Sequence, residues 1–189
     1  NSASSGGVLT VSQRVPDAVA VAPGSQRVQL LTVQLSASCS AAVNIDALHA
    51  IRRGLGAAAD ITAVYLEQNG ARITAARTIP SRGGSILFAF RPITIAPCDS
   101  TTITLFADFS PDASPAGEHR FELFGESVSA DGATIQVTTH PVKSVVRTSG
   151  APIGEIAVEY PRLTSTLLYG ENRIVGRFRL SADNRTDHR

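Results

Sequence analysis

The chain has 189 residues, of which 43 % are hydrophobic and 17 % charged, with a formal net charge of +1. That balance suits a globular protein and speaks against an electrostatic nucleic-acid binder, since the arginines are scattered along the chain. No apolar run approaches the ~20 residues of a membrane-spanning helix, which argues against membrane insertion, and the opening Asn1-Ser2-Ala3-Ser4-Ser5-Gly6-Gly7 has neither the basic nor the apolar region of a secretory signal.

Apolar residues recur with period two along nearly the whole chain, the pattern of half-buried strands. Residues 1–12 form a Ser/Gly-rich segment that ends in a first strand, Val8-Leu9-Thr10-Val11. After the turn residues Pro23-Gly24, the run Val28–Leu35 reads as a long strand that leads to a turn at Cys39. Between His49 and Ile61 the glycines Gly54 and Gly56 count against a stable helix, so this stretch is expected to cross between sheets with at most one helical turn. Ile61–Leu66, Ser85–Phe90 and Thr101–Ala107 are short, β-branched and aromatic strands. Asn69-Gly70 predicts a two-residue hairpin, and Asp131-Gly132 predicts another between Ser127-Val128 and Thr134–Val137. Many short strands at this spacing predict an all-β fold, an antiparallel Ig-like β-sandwich over residues 8–147.

Residues 148–155 then read as a linker, and residues 156–189 repeat the beginning of the chain. Leu9-Thr10-Val11, Gly24, Arg27-Val28 and Leu35-Ser36-Ala37 are echoed in order by Ile156-Ala157-Val158, Gly170, Arg173-Ile174 and Leu180-Ser181-Ala182. The echo is domain-sized, so these residues are expected to supply the first strands of a second, incomplete sandwich module. Two strands bury little apolar surface alone, which makes strand complementation by a neighbour an expectation. The candidate assembly residues are Val8, Leu9, Thr10 and Val11 at the start, and Ile156, Val158, Ile174, Phe178 and Leu180 at the end.

The cysteines are Cys39 and Cys98, each at a turn after a strand-like run and without a second cysteine or a histidine cluster nearby. A disulfide joining two loops at one end of the sandwich is the expectation, with an oxidising, extracellular location. The competing reading is a pair of reduced, buried thiols.

The runs Val43–Leu48, Asp60–Leu66, Asn69-Gly70, Pro92–Pro97 and Thr101–Asp108 resemble the tandem Ig-like β-sandwich modules of large bacterial surface proteins. The resemblance implies a structural, surface-exposed role and brings no catalytic residue with it. The chain departs from the pattern at Cys98-Asp99, where a glycine is usual, and its second copy has Asn184 where the first has Cys39.

Chemistry is sparse. His49, His119, His140 and His188 are dispersed, with no two at ligand spacing, and are expected on surfaces or loops rather than at a metal. Asp108, Asp112, Glu118 and Glu122 gather around Pro111 and Pro115 but lack the alternating acids of a calcium loop. No nucleophile elbow, phosphate-binding loop or dinucleotide fingerprint is present, so no catalytic residue, metal site or cofactor is assigned. Asn184-Arg185-Thr186 matches the glycosylation sequon. Tyr65, Tyr160 and Tyr169 are expected to pack rather than to stack on a sugar. The expected function is therefore a structural extracellular surface or filament subunit, pilus-like in its assembly, whose partners are other copies of itself or neighbouring modules. The alternative is an adhesin or accessory module that binds a glycan or a protein through loops at the sandwich end away from the disulfide.

Overall fold

Alternation along each strand decides which side chains enter the core. The structure, a computed structural model, describes residues 7–16, 19–81, 84–115, 117–131, 133–138, 146–148, 156–159 and 179–182. In chain order the strands are β1 (Val8–Arg14), β2 (Val19–Val21), β3 (Val28–Ala37) and β4 (Val43–Arg53), then a 3-10 turn (Ala58–Asp60). They continue as β5 (Ile61–Gln68), β6 (Ala71–Arg72), β7 (Ser85–Ile95), β8 (Ser100–Phe109) and β9 (Glu118–Asp131). The last are β10 (Thr134–Thr138), β11 (Val146–Thr148), β12 (Ile156–Glu159) and β13 (Arg179–Ala182).

Two sheets make an all-β sandwich, as expected. The larger has the order β10-β1-β3-β8-β5-β6 and the smaller β2-β11-β9-β4-β7. In β8 the inward set is Ile103, Leu105, Ala107 and Phe109, and the smaller sheet answers with the fully buried Phe88 and Phe121. In β3 the adjacent Leu30 and Leu31 are both buried, because a register shift against β8 inserts one extra residue there. Most pairs are antiparallel, but β1 with β10 and β2 with β11 are parallel, which the sequence pattern did not announce.

The Asn69-Gly70 hairpin is present, with Gln68 opposite Ala71 and both turn residues at positive φ, 52° and 78°, as this mirror-image turn requires. The hairpin expected at Asp131-Gly132 is not. Asp131 stays opposite Asn44 of β4, while Thr134 to Thr138 lie in the other sheet beside Val8 to Ser12. Half-buried Ile135 and Val137 pack on the core from there, and that burial outweighs the local turn preference. The crossing between β4 and β5 carries one 3-10 turn, as read from its glycines, although β4 itself extends through His49 to Arg53. β11 belongs to the first sandwich, pairing with β9 and β2 up to Thr148, so its last residue falls just inside the expected linker.

Candidate functional site

At one end of the sandwich Cys39 and Cys98 are joined in a disulfide. Their loops are also held by backbone bonds: Ala37 N–H donates to Asp99 O at 2.9 Å and Cys98 N–H to Ser38 O at 3.3 Å. Ser38 N–H donates to Val8 O, and Val8 N–H to the Ser38 hydroxyl, so the start of β1 is tied to the same turn. Cys98 has φ 62°, the left-handed conformation for which glycine is the usual residue at that point of the pattern.

The structure places the first group of assembly residues inside the module. Leu9 and Val11 are fully buried, and β1 is paired on both sides, with β3 and with β10. Gln13 of the same strand bonds across the sandwich: its side-chain oxygen accepts Leu123 N–H at 2.9 Å and its amide nitrogen donates to Leu123 O. The second group is described only in part. Ile156 and Val158 lie on β12 and Leu180 on β13, while Ile174, Phe178 and Asn184 lie outside the described residues.

The backbone pairing of β12 and β13 reproduces that of β1 and β3. Leu9, Thr10 and Val11 stand opposite Ala37, Ser36 and Leu35, and Ile156, Ala157 and Val158 stand opposite Ala182, Ser181 and Leu180. The recurring Leu-Ser-Ala thus takes the same antiparallel register against the same kind of strand. A slip of one residue would exchange the two faces of the strand pair, so this agreement is more specific than agreement in composition.

A polar groove of about 700 Å³ opens on the smaller sheet, lined by Asn44, Asp46, Pro92, Thr94, Ser129 and Asp131 among others. Asp46 sits where β4 shifts register against both neighbours: it is the extra residue against β9, while opposite it β7 carries the extra residues, Pro92 among them. The Thr94 hydroxyl donates to Asn44 Oδ1 at 2.7 Å. Two carboxylates, an amide and hydroxyls suit a ligand rich in hydrogen-bond donors. The groove adjoins the disulfide end, because β4 begins just after Cys39 and β7 ends just before Cys98; the loops at the opposite end, favoured by the sequence reading, do not line it.

That opposite end holds a buried polar cluster. His119, at 1 % exposure, corrects the expectation of a surface or loop histidine: it lies on β9 in phase with Phe121 and Leu123 and points into the core. Its Nε2 is 3.3 Å from Asp60 Oδ2, and its Nδ1 is 3.4 Å from Arg52 NH1. Asp60, also buried, accepts Ser114 N–H on Oδ1 and Ala57 N–H on Oδ2, and so pins the crossing between the sheets to the loop after β8. Burial lowers the His119 pKa from its usual value, Arg52 lowers it further and Asp60 opposes both. The phase of His119 with its apolar neighbours was legible in the sequence and pointed inward; the convergence of Asp60 and Arg52 on it was not.

On the outer side of the larger sheet Arg27 bonds the Glu67 carboxylate at 2.7 and 3.1 Å and covers the Phe106 ring, while Arg72 covers Tyr65. Hydrogen bonding to Arg27 holds Glu67 below the usual carboxylate range. Tyr65 donates to Asp108 at 3.2 Å and is used in packing, as expected. The loop acids separate, with Asp108 bonded to Tyr65 and Arg27 N–H and Glu122 paired with Arg53. Among the described residues no three His, Cys, Asp or Glu side chains converge as metal ligands, and no helix is long and apolar enough to cross a membrane.

No protein-family model matches the chain, and no curated protein matches it. Among solved structures, the chain is similar to one from the crystal structure of a CaDoc0917–CaCohA2 complex, at 13 % identity and a TM-score of 0.36, covering 75 % of this chain and 99 % of that one.

Proposed function

We propose that this protein is a structural, extracellular surface or filament subunit built from β-sandwich modules, of the kind found in tandem on large bacterial surface proteins. The observation that carries this reading is the repeated register: β12 and β13 pair as β1 and β3 do, residue for residue across the shared Leu-Ser-Ala. The disulfide supports the location, because such bonds persist in oxidising compartments. In this reading the assembling contact is the pairing of β12 and β13 with strands of a neighbouring module or of another copy, main chain to main chain along a sheet edge. Head-to-tail pairing does not close on itself and extends into a filament. Neither this reading nor the next assigns the chain a catalytic step.

Electron microscopy and sedimentation of the full chain beside a variant lacking residues 153–189 test the reading. Assembly of the full chain and monomers of the variant are expected. Equal assembly of both, or monomers of both at high concentration, would falsify it.

The polar groove favours a second reading, an adhesin or accessory module for a glycan or a protein. Under that reading the full chain is a monomer that retains a sugar on a glycan array, and Asp46→Ala abolishes the retention.

A further inference from the structure

The geometry points to an acid-sensitive latch at the corner between β4 and β5: neutral His119, held between Asp60 and Arg52, keeps residues 54–60 seated on β9, and a proton added at Nδ1 releases Arg52 and loosens the corner. The tautomer follows from the partners. A guanidinium only donates, so Nδ1 accepts from Arg52 NH1 and the single ring proton sits on Nε2, facing the Asp60 carboxylate.

Arg52 couples the ring to the corner. The same NH1 donates to Gly56 O at 2.8 Å, and Gly56 N–H donates to Glu118 O at 2.9 Å. The fit leaves no slack, since a Cβ on Gly56 would overlap the His119 ring and one on Gly54 would overlap the Glu118 carbonyl. A second ring proton would set donor against donor and cation against cation beside a ring and a carboxylate that are both buried. Arg52 Nε and His119 Nε2 are both buried without a hydrogen-bond partner, so Asp60 faces the ring as a charge; Arg52, half-buried where Asp60 is buried, is the partner with a way out to water.

The charged groups that face the ring are Asp60 from the 3-10 turn and Arg52 from β4; β8 contributes the uncharged edge contact of Phe109. Burial and Arg52 outweigh Asp60, so the closed corner binds the proton more weakly than an open corner does at the ordinary histidine value of 6.5. Opening therefore takes up a proton. Its equilibrium is flat at alkaline pH and rises as pH falls through 6.5, by at most about tenfold per pH unit, until the closed-state value is reached.

Amide hydrogen exchange on the full chain, corrected for intrinsic chemistry, reads this directly. Between about pH 6.5 and 5.5, above the range where ordinary carboxylates titrate, the Gly56 and Ser114 amides are expected to exchange progressively faster than Leu105 in β8. The increase should be flattened in Arg52→Met and absent in His119→Gln. Parallel behaviour of corner and core amides, or an unchanged slope in His119→Gln, would overturn the latch. If His119→Gln does not fold, imidazole nitrogen shifts of the unaltered chain decide: a neutral ring protonated on Nε2 is expected at pH 7.5, and a ring protonated on Nδ1 or on both nitrogens refutes the mechanism.

Discussion

The two ends of the sandwich are closed by opposite means. At one, exposed turns are joined covalently through Cys39 and Cys98; at the other, a buried carboxylate, imidazole and guanidinium hold a corner together by hydrogen bonds and charge. The contrast follows from burial. An exposed turn has little apolar surface with which to stay docked, and a covalent bond confines the chain whether or not water is present. A buried corner can use polar contacts because the core around them excludes competing water, at the cost that every member must keep its partner. The first closure answers to reductant and ignores protons, and the second does the reverse.

Three substitutions sharpen the comparison. Replacing both cysteines by alanine should have the largest effect, because the bond closes a loop of 59 residues in sequence separation. In the chain-entropy model its loss costs about 4 kcal/mol, to be read by urea unfolding with and without reductant; the unaltered chain should fall to the same midpoint when reduced. Asp60→Asn should cost about 2–4 kcal/mol at neutral pH, because an amide cannot accept from both Ala57 and Ser114. Its midpoint should not respond to reductant beyond the loss that the unaltered chain also shows. Leu55→Ser should change stability by less than about 0.5 kcal/mol, since Leu55 is 90 % exposed although it sits between the two tightly packed glycines. A larger loss there would mean that the corner depends on an apolar contact in addition to its polar cluster.

Much of this was readable residue by residue. The inward sets of β8 and, from Leu31 on, of β3 follow the alternation of their sequences, and Asn69-Gly70 turns as its positive-φ residues require. The cysteines pair as expected, at the turns that end one strand and precede another. What failed to read was choice of partner. Asp131-Gly132 has the composition of a hairpin, yet its strands join different sheets, because a turn signal reports only on neighbours in sequence. The candidate assembly residues Val8 to Val11 lie on a strand paired on both sides, because β10 reaches β1 from far along the chain. The groove at Asp46 depends on a register shift against two neighbours at once, which a strand's own sequence does not encode.

The amino-acid sequence alone determined that this is an all-β chain with two cysteines placed at turns and an internal echo of its own first strands. Those properties rest on alternation, turn chemistry and recurrence, all carried by residues close together in the chain. Only the tertiary structure decided which sheet each strand joins, that the echo extends to the pairing register, and that His119 lies sealed between Asp60 and Arg52. Burial and long-range pairing come into being when the layers close, so they are properties of the packed sheets and not of any single segment.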